Sequence, residues 1–320
     1  MSKKAYKSID LIGETPLVRL SRITQDLDVE IWAKVEFMNL SGSIKDRIAY
    51  YMIKAAEKRG ELKPGMTLVV PTTGNTGIAF SAVGAFLGYK VLIVIPEEMS
   101  RERYLTMKLY GAEFVTTPGG ETDALKALEY ALELAEKNPE KYYVFDQWAD
   151  EANVKAHYET TGKEIIEQLD AVDAFVAHVG TGGTLVGTGL RLKEAFKDVK
   201  VFGAEPAECP VATYWFKGLG EAKCGRHKVE GVGDGFIPEI VMKYRDVIDD
   251  FVTVSSEEAI DTAQQLARLE SLAVGISSGA NVAAAIKIAR DYGLSNDAKI
   301  VTILPDSALK YYSTKLFEAI

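Results

Sequence analysis

Short β-rich runs alternate with longer stretches of helical periodicity, and this alternation restricts the fold more than any other feature of the chain. The helical stretches include 122–137, 152–168 and 256–269, where apolar residues recur at i, i+3, i+4 and i+7. Strands that alternate with helices form mostly parallel sheets flanked by helices, so the sequence predicts an α/β fold. The strand-like runs are Ile31 to Glu36, Thr67 to Val70, Lys90 to Ile95, Glu113 to Thr117, Tyr143 to Asp146, Phe175 to Val179, Val201 to Glu205, Phe251 to Val254 and Ile300 to Leu304.

Several of these runs end at a proline or glycine, as in Val70-Pro71, Val179-Gly180 and Leu304-Pro305. Tight turns are therefore expected at the carboxyl ends of the strands, where ligands bind in sheets of this type. A chain of 320 residues favours two domains, and neither a repeat nor a low-complexity linker marks their boundary. We predict that the chain crosses between domains near 147–153, a polar stretch between a strand and a helix.

Charge and hydropathy exclude several classes of function. The net charge of −9 leaves no basic field to attract a nucleic acid. The most apolar stretch, 82–95, is interrupted by glycines and a lysine and falls short of the roughly 18 apolar residues of a membrane span. The basic N-terminus is followed by Ser8-Ile9-Asp10 instead of an apolar signal core. We expect a cytoplasmic protein that binds neither membrane nor nucleic acid.

The two cysteines, Cys209 and Cys224, are expected to stay reduced, because cytosolic thiols do and because a core of this size needs no disulfide. Cys224 and His227 have half of a zinc-ligand spacing, but no second pair completes a tetrahedral site. The sequence therefore implies no metal.

The first motif that carries chemistry is Gly180-Thr181-Gly182-Gly183-Thr184, which follows a strand-like run and precedes a helical one. Converging backbone N–H groups and a helix N-terminus make such a loop a cradle for phosphate. It matches neither the dinucleotide spacing nor the P-loop, so NAD and ATP are disfavoured and a small phosphate-bearing cofactor is favoured. The alternative is an ordinary strand-to-helix turn.

The second motif is a polar, glycine-containing turn, Asn39 to Ser43, that feeds a helix predicted to begin near Ser43. Lys45 then lies in the first helical turn, where the positive end of the helix dipole favours the neutral amine that forms Schiff bases. The alternative is a solvated surface lysine beside Asp46 and Arg47.

The third motif, Pro71 to Gly77, crowds hydroxyl, amide and backbone N–H groups at the carboxyl end of a strand. Such a loop can bind a carboxylate without supplying a full charge. The alternative is a turn followed by an N-cap on a helix that begins at Thr76.

Together, in order and spacing, these loops resemble those of the cysteine synthase family, the O-acetylserine sulfhydrylases among the fold-type-II pyridoxal-phosphate enzymes, whose relatives include cystathionine β-synthase. The resemblance runs from Ile12-Gly13-Glu14-Thr15-Pro16-Leu17 to Leu304-Pro305-Asp306-Ser307. It implies a tryptophan synthase β-like fold, with a smaller mobile substrate-binding domain at 39–146 and a larger cofactor-binding domain at 1–38 and 147–320. It also implies pyridoxal 5′-phosphate as the cofactor and a homodimer.

The resemblance assigns roles residue by residue. It implies that Lys45 forms the internal aldimine and that Ser277 faces the pyridine nitrogen, with Ser278 as the alternative. Asn75 is expected to hydrogen-bond the cofactor's 3′-oxygen. The phosphate would lie on Gly180, Thr181, Gly182, Gly183 and Thr184, and the substrate on Thr72, Thr73, Gly74, Asn75, Thr76, Gln147 and Gly231.

A serine at the pyridine nitrogen leaves the ring a weaker electron sink than a carboxylate would, which suits β-elimination better than transamination. The activity implied is that of a cysteine synthase: O-acetylserine and sulfide give L-cysteine and acetate through an α-aminoacrylate, with Lys45 as the base for the α-proton. A binding protein that has kept the fold without catalysis is the alternative from another class. The presence of both Lys45 and Asn75 argues against it.

Some positions depart from the family's pattern. Thr73 stands where the family usually has serine, and Lys310 ends a segment that usually reads Gly-Glu-Arg, which we expect to alter only the local surface. Asp234 replaces a small residue in a loop expected over the substrate. It could be a base for serine or cysteine as substrate, with homocysteine, another thiol or water as the nucleophile. Alternatively, Asp234 points to solvent or pairs with a lysine.

Overall fold

A computed structural model describes residues 6–120 and 123–318 of the chain. The fold is α/β, as the alternation of strand-like and helical runs predicts, and its strands form two separate sheets. The strands are β1 (Leu17–Leu20), β2 (Glu30–Val35), β3 (Thr67–Pro71), β4 (Lys90–Pro96), β5 (Glu113–Thr117), β6 (Tyr142–Val144), β7 (Ala174–His178), β8 (Lys200–Pro206), β9 (Asp250–Val254) and β10 (Lys299–Leu304).

Helices connect most of the strands. They are α1 (Lys45–Arg59), α2 (Asn75–Leu87), α3 (Arg101–Leu109), α4 (Ala124–Lys137), α5 (Glu151–Ala156), α6 (Lys163–Gln168), α7 (Gly183–Ala195), α8 (Val211–Lys217), α9 (Glu239–Lys243), α10 (Ser256–Glu270), α11 (Ile276–Asp291) and α12 (Lys315–Glu318). Among the described residues, no helix is long and apolar enough to cross a bilayer.

The six-stranded sheet has the order β1-β2-β10-β7-β8-β9, and all neighbours are parallel except the antiparallel pair β1 and β2. Alternate residues of its strands enter different cores: Val176 packs with α10 and α11 on one face, and Phe175 packs with α7 on the other. Burial on both faces explains why these strands read as apolar runs.

The four-stranded sheet is wholly parallel in the order β5-β4-β3-β6. Leu68 and Val70 of β3 pack with α1 and α2 on one face, whereas Val69 packs with α4 on the other. The predicted ligand loops follow β3 in this sheet and β7 in the six-stranded sheet, so residues from both sheets can line one site.

Besides β1, which no strand-like run predicts, two features differ from the sequence-based predictions. The helix predicted over 152–168 is α5 and α6 joined by a π-helical turn, His157–Gly162, within which His157 Nδ1 lies 2.9 Å from Thr161 Oγ1. Competition between a side-chain hydrogen bond and the helical ladder accompanies such insertions, and apolar periodicity does not detect them.

The prediction of reduced cysteines was wrong for this structure, in which Cys209 and Cys224 form a disulfide. The Gly225 N–H donates to the Glu208 carbonyl oxygen at 2.7 Å and aligns the two segments, which brings the cysteine Cα atoms to 4.0 Å. The prediction rested on cellular compartment, whereas this local backbone pairing decides the geometry.

Candidate active site

One cavity collects nearly every site residue that the sequence predicts. The single exception is Gly183, which begins α7 directly behind the cavity wall. The predicted residues that line the cavity are Lys45, Thr72, Thr73, Gly74, Asn75, Thr76, Gln147, Gly180, Thr181, Gly182, Thr184, Gly231, Asp234 and Ser277.

Lys45 is the first residue of α1 and the cation best placed to act in this cavity. Burial lowers the pKa of its amine to about 8, although the nearby charge of Asp234 opposes this change. A fraction of the amine is therefore neutral near neutral pH, which is the form that attacks an aldehyde.

A buried ionic network fixes the helix that carries Lys45. Arg47 Nε donates to Glu36 Oε2 at 2.7 Å, and Arg47 Nη1 donates to Glu164 Oε1 at 2.6 Å. Thr15 Oγ1 also donates to Glu36, at 2.7 Å. Burial disfavours ionisation of Glu36, but the charge and hydrogen bonds of Arg47 hold its pKa below the ordinary value. This network ties the start of α1 to the six-stranded sheet.

The glycine loop after β7 has the geometry of an anion cradle. Gly182 has a φ of 84°, a left-handed conformation that favours glycine, and α7 begins at the next residue. Asn153 Nδ2 donates to Thr181 Oγ1 at 2.9 Å, and a Cβ on Gly183 would collide with the same asparagine. These contacts fix the loop beside the cavity. The N-terminus of α7, which is the positive end of the helix dipole, therefore also lies at the cavity.

A buried histidine supports the last hydroxyl of this loop. His157 Nε2 lies 3.2 Å from Thr184 Oγ1, and Nδ1 of the same ring contacts the π-helical turn. Burial lowers the pKa of His157 well below its ordinary value, so the ring is neutral. The phosphate cradle is therefore built from dipoles and hydroxyls instead of full charges.

The loop after β3 forms hydrogen bonds with Gln147, the glutamine that the sequence predicts at the site. Thr76 Oγ1 donates to Gln147 Oε1 at 2.6 Å, and Gln147 Nε2 donates to the Pro71 carbonyl oxygen at 3.1 Å. The Gly74 N–H donates to Thr72 Oγ1 at 2.9 Å. These contacts gather hydroxyl and amide groups at the N-terminus of α2, which suits a carboxylate ligand.

At the opposite side of the cavity, the start of α11 distinguishes the two candidate serines. Ser277 lines the cavity, whereas Ser278 Oγ is directed to the Asp306 carbonyl oxygen at 3.4 Å. The geometry therefore favours Ser277 as the hydroxyl that meets a ligand.

Asp234 does not point to solvent: it is 6% exposed and lines the cavity. Trp148 Nε1 donates to Asp234 Oδ2 at 2.7 Å. Burial raises the pKa of the Asp234 carboxyl, although the Trp148 hydrogen bond and the Lys45 charge oppose this change. A carboxyl group with a raised pKa in a cavity is suited to proton transfer.

Sequence reasoning missed several residues at the site. Trp148 and Glu230 line the cavity, and Lys310, which we expected to alter only the surface, reaches Asn75 Oδ1 at 2.9 Å. His178 also lines the cavity, and Asn281 Oδ1 accepts its backbone N–H at 2.7 Å. Trp148, His178 and Glu230 lie within two residues of predicted site residues, so proximity to those loops could have indicated them. Lys310 reaches the site only through a contact distant in sequence.

The chemistry of this donor set fits pyridoxal phosphate. An amine with a lowered pKa, an anion cradle, a hydroxyl at Ser277 and the Asn75 amide all line one cavity. Within residues 6–120 and 123–318, no group of three or more His, Cys, Asp or Glu side chains is arranged to hold a metal ion.

Comparison with known proteins assigns the class. The sequence profile of the family described as "Pyridoxal-phosphate dependent enzyme" matches residues 9–306, and the chain belongs to this family. Its cofactor is therefore pyridoxal phosphate, and the chain is an enzyme of the fold-type-II class.

Within that class the similarity narrows to cysteine synthases. The chain is 43% identical to a probable cysteine synthase of Bacillus subtilis over 100% of both proteins. It is 46% identical to cysteine synthase A of Escherichia coli, over 99% of this chain and 97% of that protein.

Solved structures similar to the chain include a cysteine synthase and a hydrogen sulfide-producing enzyme. A cysteine synthase of Entamoeba histolytica superposes with a TM-score of 0.90 at 36% identity, over 99% of this chain and 92% of that one. A hydrogen sulfide-producing enzyme of Fusobacterium nucleatum superposes with a TM-score of 0.88 at 40% identity, over 97% and 90%.

Proposed function

We propose that this enzyme replaces the β-substituent of O-acetylserine with sulfide and releases L-cysteine and acetate. The observation that carries the proposal is the shared cavity of Lys45, whose pKa is lowered, and the cradle at Gly180 to Thr184. The full-length similarity to cysteine synthases supports the choice of substrates.

In this proposal Lys45 would hold the cofactor covalently, and Gly180, Thr181, Gly182, Gly183 and Thr184 would bind its phosphate. The cofactor, when bound, withdraws electrons from the substrate's α-carbon. The neutral amine of Lys45 would be the base that removes the substrate's α-proton. Burial, which lowers the pKa of that amine, makes it an acceptor near neutral pH.

The remaining residues orient the two ligands. Thr72, Thr73, Gly74, Asn75 and Thr76 hold the substrate carboxylate with Gln147, whose present contact with Thr76 keeps both groups together. Gly231 forms part of the facing wall. Ser277, which lines the cavity, would offer a neutral hydroxyl to the pyridine nitrogen, and such a partner favours elimination at the β-carbon over transamination.

We also propose two domains, with 39–146 closing over a larger unit of 1–38 and 147–320. The two separate sheets support this division, because β3 to β6 lie within 39–146 and the strands of the six-stranded sheet lie outside it. Arg103 contacts both units: its Nη1 lies 2.5 Å from Glu230 Oε2 and donates to the Thr73 carbonyl oxygen at 3.2 Å. It thereby links the substrate loop to the opposite wall. Closure excludes water and protects a reactive intermediate. The family resemblance further suggests a cytoplasmic homodimer.

A second candidate function uses the same machinery on L-serine or L-cysteine, with homocysteine, another thiol or water as the nucleophile. The buried carboxyl of Asp234 favours it, because a group with a raised pKa beside Lys45 can accept and return a proton. A negative charge there also repels an anionic nucleophile such as bisulfide. The similarity to a hydrogen sulfide-producing enzyme is consistent with this alternative.

The test is product analysis with the purified, cofactor-loaded enzyme. O-acetylserine, serine and cysteine are supplied separately, each with sulfide, homocysteine or water alone, and amino-acid products, acetate, sulfide and pyruvate are quantified. The main proposal predicts cysteine and acetate from O-acetylserine and sulfide at the highest kcat/KM. Higher kcat/KM with serine or cysteine supports the second candidate, and the absence of turnover with all three contradicts both.

The role of Asp234 is tested in the same assay. Asp234→Asn is expected to depress turnover of serine or cysteine by about 10² or more, with less effect on O-acetylserine. Equal effects on all substrates, or none, would show that this carboxylate is not the base for those reactions.

A further inference from the structure

The segment after β10 joins three separate parts of the site. Asp306 forms an isolated antiparallel bridge with Ser43, just before α1, and accepts the Gly275 N–H at 3.1 Å, just before α11. Its carboxylate Oδ2 accepts from Asn75 Nδ2 at 2.7 Å. The segment therefore contacts the loops that lead to Lys45, Asn75 and Ser277.

The Asn75 amide lies between two opposite charges. Lys310 Nζ donates to Asn75 Oδ1 at 2.9 Å, while Asn75 Nδ2 donates to Asp306 Oδ2 at 2.7 Å. The reversed amide would direct its N–H groups at the lysine ammonium and its oxygen at the carboxylate. Both contacts would then become repulsive, so the charges select one of the two orientations of the amide.

Both charged partners are themselves held in place. Lys310 Nζ also donates to the Gly42 carbonyl oxygen at 3.1 Å. The Tyr311 hydroxyl donates to Asp306 Oδ2 at 2.7 Å. Burial lowers the pKa of Lys310, but the charges of Asp306 and Asp46 oppose this change. The lysine is therefore anchored to the loop that precedes α1, and the aspartate to its own segment.

An amide nitrogen carries two N–H donors, and Asp306 accepts one of them. In the part of the chain that the structure describes, the other N–H has no protein acceptor, and Asn75 lines the cavity. We propose that Lys310 and Asp306 are positioning residues that hold the Asn75 amide with this second N–H directed at the cofactor's 3′-oxygen. This inference rests on the proposed function, because it requires pyridoxal phosphate in the cavity.

The experiment compares pyridoxal phosphate with 3-deoxypyridoxal phosphate, in which a hydrogen atom replaces the hydroxyl group that contains the 3′-oxygen. The full-length enzyme is loaded with either ligand, and the dissociation constants are measured by dialysis against decreasing free ligand. Lys310→Met removes the ammonium and keeps an unbranched apolar chain, while Lys310→Arg keeps a cation at the same position. Asn75→Ala removes the amide itself.

Lys310→Met is expected to weaken pyridoxal phosphate binding about tenfold, the typical value of one charged hydrogen bond, and to leave the deoxy analogue unchanged. Lys310→Arg should retain most of the wild-type preference for the 3′-oxygen. In the Asn75→Ala background, Lys310→Met should have no further effect on pyridoxal phosphate, because the two residues act through the same contact.

Equal weakening of both ligands in Lys310→Met would show a merely structural role and overturn the proposal, as would unchanged binding of both. If Lys310→Met does not fold, the comparison of Asn75→Ala with wild type and Lys310→Arg still decides. An equal preference for the 3′-oxygen in all three overturns the proposal. If the wild type binds pyridoxal phosphate no more tightly than the deoxy analogue, the positioning proposal is also overturned, but the proposed function is not contradicted. A wild type that binds neither ligand refutes the proposed function itself.

Discussion

Replacing Asp234 with asparagine is expected to make Lys45 a weaker base. The carboxylate lies in the lysine's cavity, and its charge raises the pKa of the amine, which burial has lowered to about 8. Asparagine keeps the volume, and its carbonyl oxygen can still accept from Trp148 Nε1. The change therefore removes a charge while the packing is preserved.

The size of the effect follows from that charge. With a pKa of about 8, roughly one Lys45 amine in ten is neutral at pH 7. Removal of an adjacent opposite charge is worth about 1.4 kcal/mol, which raises the neutral share at pH 7 to roughly half. The assay is acylation of the cofactor-free enzyme between about pH 6 and about pH 9, with the peptide that contains Lys45 quantified by mass spectrometry.

Glu230→Gln is the matched control, because this carboxylate also lines the cavity but pairs with Arg103. It should leave the pH profile of Lys45 acylation at the wild-type position, while Asp234→Asn moves it to lower pH. An unchanged profile in Asp234→Asn, or an equal change in both variants, would refute the electrostatic coupling of Asp234 to Lys45.

Three further predictions concern the framework of the site. Glu36→Gln removes the fully buried one of the two carboxylates that pair with Arg47 and should lower the free energy of unfolding by about 3 kcal/mol in urea titrations; a loss below about 1 kcal/mol would contradict the network's importance. Gly183→Ala pushes a methyl group into Asn153 and should weaken binding of pyridoxal phosphate at least about tenfold by dialysis, whereas unchanged affinity would show that the cradle tolerates a side chain. Reducing the disulfide between Cys209 and Cys224 opens a loop whose ends are 15 positions apart in the sequence. This should lower the free energy of unfolding by about 3 kcal/mol, and identical unfolding with and without dithiothreitol would argue against the pairing.

The sequence predicted the fold well because strand and helix periodicity is a local property. The strand-like runs agree with β2 to β10 within a few residues. The run that was missed, β1, is a four-residue edge strand with only one fully buried side chain, so its pattern is weak. Its antiparallel pairing with β2 depends on a tertiary contact that periodicity does not encode.

The candidate site was predictable where its chemistry lies in contiguous loops. Lys45, Asn75 and the cradle at Gly180 to Thr184 each follow a recognisable turn, and these loops converge because both sheets present the carboxyl ends of strands to one cavity. Lys310 escaped prediction because its partner, Asn75, is distant in sequence.

The central claim is that Lys45 bonds the cofactor whose phosphate rests on the glycine loop, and one measurement tests it most directly. The enzyme loaded with pyridoxal phosphate is treated with sodium borohydride, which makes a lysine-aldehyde linkage permanent, and its peptides are mapped by mass spectrometry. The account predicts a single modified peptide containing Lys45, and no modification at that site in Lys45→Ala. Stoichiometric label on another lysine, with Lys45 unmodified in the wild type, would contradict it.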